Sequence, residues 1–150
     1  MNFSHVFDES KHIIKMIKDK KNNLKNKTEI TNEILSNTLD KKISCKSCYD
    51  ISNKFAVPMD IIGEIVNDLD IKLHKCQLGL FGYPEKKIIK PAATISSDLE
   101  KTIKNEVLNN KISCKRLWKI ARNLKIEKIQ LSSACEAMSI KIKPCQLGAF

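Results

Sequence analysis

The chain repeats itself. Ile43-Ser44-Cys45-Lys46 recurs as Ile112-Ser113-Cys114-Lys115, and Cys76-Gln77-Leu78-Gly79 recurs as Cys145-Gln146-Leu147-Gly148, both at an offset of 69 residues (114 − 45; 145 − 76). No gap separates the two anchors. Between them Tyr49 aligns with Trp118, Ile51 with Ile120, Phe55 with Leu124 and Val57 with Ile126. Upstream, Ile30, Ile34 and Leu39 align with Leu99, Ile103 and Leu108. Self-similarity at a fixed period means that one supersecondary unit is used twice. The expected organisation is an N-terminal helix and linker over 1–27, a first repeat over 28–81, a connector over 82–96 and a second repeat over 97–150. Each repeat alone is near the size at which a core becomes marginal, so the two are expected to share one.

The apolar spacing predicts a mostly α chain, each repeat contributing three helices and a short β-strand. A first helix is expected after a hydroxyl cap at Thr28 or Ser97 and ends near Leu39 or Leu108; Ser97 and Glu100 have capping-box spacing. A second follows Ser44 or Ser113, with Cys48, Ile51 and Phe55, or Leu117, Ile120 and Leu124, at helical intervals. Turns fall at Ala56-Val57 and Lys125-Ile126, and Pro58 stands where the start of a third helix tolerates it. Alternation at Ile71 and Leu73, and at Ile140 and Ile142, predicts the strand, and the two strands are candidates to pair. Gly79 and Gly148 mark a turn beyond it. Ahead of the repeats, Phe3, Val6, Phe7, Ile13, Ile14 and Ile17 predict an amphipathic helix over 3–18, and the Lys- and Asn-rich residues 18–27 a solvated linker.

Hydrophobic residues make up 42% of the chain and charged ones 29%, a globular balance that excludes disorder. No apolar run approaches the roughly 20 residues needed to cross a bilayer. Residues 1–20 carry acidic groups and no apolar stretch, so no export signal is expected. The six cysteines are therefore expected as reduced thiols of a cytoplasmic protein. There is no glycine-rich phosphate loop, paired-His metal motif or nucleophile elbow, and His5, His12 and His74 are scattered. A non-enzymatic protein without a cofactor is the expectation.

The second repeat resembles the helix-turn-helix superfamily from Cys114 to Ile142. The pattern is Ile120-Ala121-Arg122-Asn123-Leu124-Lys125-Ile126, followed by Ala134-Cys135-Glu136-Ala137-Met138-Ser139-Ile140. The first repeat matches less well, with Ser52 in place of the alanine and Asp70 in place of Ser139. The resemblance implies a DNA-binding fold, and three-helix units of this shape also serve as protein-interaction modules.

Charge separates the repeats. Lys, Ile and Asn are abundant throughout, as in AT-rich coding, so the distribution of charge says more than the total of +10. The second repeat has 11 Lys and Arg against 5 Asp and Glu, whereas the first has 6 Lys against 8 acidic residues. Lys115, Arg116, Lys119, Arg122, Lys125 and Lys128 gather around the second helix and its turn, the concentration that phosphate neutralisation requires. If the third helix enters a groove, Lys128, Gln130, Ser132 and Ser133 near its start are the candidates to reach bases or phosphates. The first repeat carries Asp60, Glu64, Asp68 and Asp70 there, which phosphates would repel. The expected function is a nucleic-acid-binding regulator, with DNA the expected partner of the second repeat and self-association possible through the first repeat or the N-terminal helix. The alternative is an interaction or scaffold module, with thiol or metal sensing attached.

Cys45 and Cys48 have metal-motif spacing and could join His74 and Cys76 around zinc. The repeat opposes this, because Cys48 aligns with Leu117 and His74 with Lys143. Cys48 and Cys135, which aligns with Val66, read as small buried hydrophobes. Cys45 and Cys76 match Cys114 and Cys145. For these four, core packing, a redox sensor and a metal site shared between repeats all remain open, and the last needs convergence about a pseudo-twofold axis.

Overall fold

In the computed structural model the described residues are 3–150, with side chains described from Glu9 onward. The chain is mostly helical. Helix α1 (Phe3–Ser36) is continuous, so the expected linker over 18–27 lies inside it. No Gly or Pro interrupts the segment, and its Lys, Glu and Leu residues are good helix formers. Thr28 is mid-helix and caps nothing: its Oγ1 donates to the Leu24 carbonyl at 3.0 Å. Among the described side chains, only the end of α1 reaches the core, through Ile30 and Ile34. Ile13, Ile17 and Leu24 are 55%, 61% and 62% exposed. The apolar side chains of Phe3, Val6 and Phe7 lie outside the described residues.

After α1 the chain turns through Asp40 and Lys41, both at positive φ (49° and 58°), with Leu39 and Lys42 exchanging backbone hydrogen bonds of 3.0 and 2.9 Å. Positive φ at both central residues is the turn that matches strand twist. Strand β1 (Lys42–Ser44) leads into α2 (Cys45–Phe55), α3 (Met59–Asp68) and β2 (Lys72–His74). The same order returns as α4 (Ser97–Glu106), β3 (Lys111–Ile112), α5 (Cys114–Leu124), α6 (Lys128–Ala137) and β4 (Lys141–Ile142). Asn109 and Asn110 take the positive-φ turn ahead of β3. Ser44 and Ser113 cap α2 and α5, accepting from the backbone N–H of Ser47 and Arg116. Ala56 and Lys125 end those helices in the left-handed conformation. Helix α4 is capped by Ser96, whose Oγ accepts from the Leu99 N–H, one residue before the expected Ser97.

The strands pair within each half and not between halves. β1 lies parallel to β2, and β3 to β4. A parallel pair needs a crossover, and here the two intervening helices supply it. The partner strands β1 and β3 were not anticipated: they run directly into the Ser44 and Ser113 caps and contribute one buried apolar residue each, Ile43 and Ile112, so no apolar alternation marks them.

The two halves meet through reciprocal contacts. Tyr49 packs edge-on against Trp118 with ring centroids 5.1 Å apart, and Phe81 packs against Phe150 at 5.7 Å. In α6, the buried Ser132 donates its hydroxyl to the Leu78 carbonyl at 2.6 Å. The equivalent position in α3 is Gly63, where a Cβ would overlap the Leu147 carbonyl. Each Cys-Gln-Leu-Gly loop is thus seated on the third helix of the other half. Buried residues of both halves form one core, including Ile34, Ile43, Ile62 and Leu78 with Ile103, Ile112, Leu117 and Leu131. The connector follows α6: Ala92 N–H donates to the Ser133 carbonyl at 3.0 Å, and Lys87 pairs with Glu136 at 2.6 Å. Among the described residues no helix is long and apolar enough to cross a membrane.

Two substitutions report on this seam. Ser132→Ala leaves the Leu78 carbonyl without its hydroxyl donor and is expected to cost about 1–3 kcal/mol. Gly63→Ala forces backbone apart and is expected to cost about 1–3 kcal/mol or more. Urea midpoints of both variants against wild type check this, and unchanged midpoints would show that the loops are not seated as described.

Candidate nucleic-acid interface

Helix α5 has two faces. Cys114, Leu117, Trp118, Ile120 and Ala121 are buried. Lys115, Arg116, Lys119 and Arg122 point the other way, all exposed, and with Ser113 and Asn123 they line one shallow cavity of ≈ 530 Å³. Spacings of three and four residues place them along one stripe. Arg116 is tethered: its guanidinium donates to the Glu106 carbonyl at 3.0 Å and stands 3.3 Å from the Glu106 carboxylate. Lys115, Lys119 and Arg122 form no ion pair among the described residues. Lys125 is exposed at the left-handed end of the helix, outside this cavity.

The first half lacks such a face. The equivalents of Lys115, Arg116, Lys119 and Arg122 are Lys46, Ser47, Asp50 and Asn53, and Lys46 is neutralised by Asp50 at 2.7 Å. Helix α3 instead exposes Asp60, Glu64 and Asp68. The charge asymmetry of the sequence is therefore an asymmetry between corresponding surfaces.

The candidates at the start of α6 are placed differently from the expectation. Ser132 is fully buried and bonded to Leu78, so it cannot reach a groove. Lys128 turns toward the first half: its Nζ donates to Gln77 Oε1 at 2.9 Å and lies 4.3 Å from the Trp118 ring centroid. Gln130 is exposed, but its Oε1 accepts the Glu127 N–H in a capping box. Ser133 is half-buried beneath the connector. The physical reason is the seam, since the first half occupies the face of α6 that a free recognition helix would present. Sequence spacing could not reveal this, because the contact joins residues more than 50 positions apart, as Lys128 and Gln77 are. Lys128, Trp118, Tyr49, Gln77 and Arg122 border a second cleft of ≈ 500 Å³. Beside it Gln77 Nε2 and Trp118 Nε1 are buried donors with no partner among the described residues. Ser113 and Asn123 of the α5 cavity were not among the binding residues expected from the sequence, although their helical spacing from Arg116 and Lys119 was there to read.

The cysteines are free thiols, all buried except the half-buried Cys145. Burial pushes the thiols of Cys45, Cys48 and Cys135 up to about 12 and that of Cys114 to about 11. Cys76 is raised for the same reason. Cys48 and Cys135 are fully buried, as expected of small core hydrophobes. Among the described residues no group of three or more His, Cys, Asp or Glu stands in an arrangement that holds a metal ion, and that includes the set Cys45, Cys48, His74 and Cys76.

Comparison with protein-family models, with curated proteins and with solved structures finds no match.

The thiols set a pH dependence. Below about pH 8 the thiols of Cys45, Cys48, Cys114 and Cys135 are protonated in the folded and the unfolded chain alike, and stability is unaffected. As pH rises through the unfolded value near 9 the unfolded thiols ionise while the same groups in the fold, pushed up to about 11 to 12, do not. Stability should therefore fall as pH rises from about 8 toward 12. Chemical denaturation across this range checks it: Cys135→Val should decline less steeply than wild type, and identical slopes would contradict the burial of that thiol.

Proposed function

We propose that this protein binds nucleic acid through the basic face of α5, using phosphates rather than base edges as its ligands. The observation that supports this most is the stripe of Lys115, Arg116, Lys119 and Arg122, whose counterpart in the first half is self-neutralised. Phosphate contacts supply affinity and orientation without sequence information. In the helix-turn-helix arrangement that the second half resembles, the first of the two helices crosses the backbone while the second reads bases. Here α5 is free to take the first role, while α6 is held by the other half and by the connector. Duplex DNA is the preferred target, bound with little sequence preference. Lys125 extends the positive field at the end of α5, and Lys128 is left to hold the seam.

Fluorescence anisotropy with a labelled duplex across a salt series tests this. Three or four phosphate contacts should give a slope of log affinity against log salt of about −3 to −4. A triple Lys115→Glu, Lys119→Glu, Arg122→Glu variant should lose binding, and each single Lys→Ala change should flatten the slope by about one. Gln130→Ala should leave affinity within about twofold, because no base contact is assigned to it. Absence of binding at roughly 50 mM salt, where even non-specific contacts register, would sink the proposal.

A second reading is favoured by α1. Ile13, Ile17 and Leu24 lie on one side of a helix whose residues 9–29 are all exposed, at spacings that fit a coiled-coil seam. We infer that α1 associates with a second copy of this chain. Sedimentation of wild type should then show a dimer that Ile13→Lys with Ile17→Lys converts to monomer, whereas a monomeric wild type at micromolar concentration would refute it.

A further inference from the structure

One cleft is walled by both halves. Its volume is ≈ 500 Å³, and its lining includes Tyr49 and Gln77 from the first half and Trp118, Arg122 and Lys128 from the second. Ile126 and Ile129 add apolar wall, and Glu127, Lys128 and Ile129 bring the start of α6 to it. The N–H groups of a helix's first turn lack partners inside the helix and carry the positive end of its dipole. In α3 an acid answers them: Asp60 stands in the first turn, and its Oδ1 accepts the Ile61 N–H at 2.9 Å. The aligned residue of α6 is Ile129 (129 − 60 = 69), and that first turn has no acidic residue. Glu127 precedes it and is engaged with Gln130 in the capping box.

The polar groups of the cleft are chiefly donors. Arg122 is exposed and pairs with no carboxylate among the described residues. Lys128 Nζ donates to Gln77 Oε1 at 2.9 Å, and it lies 4.3 Å from the Trp118 ring centroid and 5.8 Å from that of Tyr49. The Gln77 amide has thus spent its acceptor on Lys128, while its buried Nε2 has no partner among the described residues. Trp118 Nε1 is in the same condition, in a residue only 6% exposed. Buried donors are nearly always satisfied, and a buried indole N–H usually finds an acceptor. Two bare donors and two cations beside one cleft are complementary to a ligand with several negatively charged oxygens.

We propose that this cleft binds a phosphate monoester, with Arg122, Lys128, Gln77 Nε2 and Trp118 Nε1 on the phosphate oxygens and the organic part against Ile126 and Ile129. Such a group carries about two negative charges and three acceptor oxygens, which matches two cations and two neutral donors. A carboxylate, with one charge, would leave a cation unmatched. The start of α6 adds amide dipoles of the kind that favour phosphate. The cleft is of the size that small ligands fill, about 300–1,000 Å³. On binding, Lys128 exchanges the Gln77 oxygen for a phosphate oxygen, which frees the Gln77 amide to turn and withdraws the ammonium from the Trp118 ring. Arg122 lines both this cleft and the α5 cavity, so two carriers can present the group: a free nucleotide-sized molecule, or the phosphorylated end of a strand lying on α5. With the first carrier the inference stands apart from nucleic-acid binding by α5; with the second it rests on that reading.

Trp118 is the only tryptophan, so its single indole N–H resonance in a nitrogen–proton correlation spectrum reports on the cleft. The full chain is titrated at constant ionic strength with inorganic phosphate, adenosine monophosphate, adenosine, and a short single strand with and without a terminal phosphate. The expected result is a saturable downfield shift of that resonance with the monophosphate, a parallel change in Trp118 emission, and neither with adenosine. Arg122→Gln, at an exposed position, should weaken this binding by about 10-fold or more, the cost of a lost charge-assisted hydrogen bond. Lys128→Gln should abolish saturation while duplex affinity, measured by anisotropy, stays within about twofold, because Lys128 makes none of the phosphate contacts assigned to α5. Failure of the cleft and failure of the α5 face are thereby read separately. A strand that shifts the resonance only when phosphorylated shows that strand ends enter the cleft, whereas a shift with the monophosphate and with neither strand assigns the free molecule. An indole resonance unmoved by every phosphate-bearing probe, or moved equally by adenosine, would overturn the proposal.

Discussion

The seating of each Cys-Gln-Leu-Gly loop on the third helix of the other half governs most of the structure. The two contacts are equivalent in place and different in chemistry. On one side the Ser132 hydroxyl donates to the Leu78 carbonyl; on the other the Leu147 carbonyl lies against Gly63, where no side chain would fit. For the Leu78 carbonyl the hydroxyl matters, because leaving a buried carbonyl without a donor costs more than a made bond gains. Once both loops are seated, the aromatic pairs Tyr49 with Trp118 and Phe81 with Phe150 meet, and the apolar faces of all six helices drain into one core. Each half alone is near the size at which a core becomes marginal.

The same seam decides which surfaces are left for partners. It occupies the start of α6, drawing Lys128 over Trp118 and burying Ser132, while the connector covers the Ser133 side. Helix α3 keeps an open face, but that face is acidic. The outer face of α5 is what remains both open and positive. Its counterpart on α2 has Ser47 and Asn53 in place of the two arginines, and Asp50, which neutralises Lys46, where the second half has Lys119. Three of the four positions thus change in charge, and a solvated ion pair gives way to a run of cations of which only Arg116 is paired among the described residues. Exposed ion pairs contribute little to stability, so this difference bears on partners and leaves the fold unaffected.

Much of this could be read from residues alone. The offset of 69 located equivalent elements because apolar spacing fixes which side of a helix is buried whatever lies beyond it. Ser44 and Ser113 announced α2 and α5, since a hydroxyl ahead of an apolar-periodic run satisfies amides that the helix cannot. Cys48 and Cys135 were recognisable as core because their counterparts are Leu117 and Val66. The continuity of α1 was less legible: Lys- and Asn-rich residues suit a linker as well as a solvated helix, and nothing in their order distinguishes the two. The cap of α4 fell one residue early, at Ser96, because adjacent serines offer the same hydroxyl chemistry.

By itself the sequence determined the helices apart from the continuity of α1, their buried faces, the excess of positive charge in the second half and the matching of four cysteines. These are local properties, set by side-chain type and period within a few residues. Only the tertiary structure decided that Lys128 and Ser132 serve the seam, that β2 and β4 pair with strands of their own half, and that the four cations of α5 share one open face. Each of these depends on contacts between segments tens of residues apart. No periodicity encodes such contacts, because they arise where two separately specified surfaces happen to be complementary in shape and in hydrogen-bonding groups.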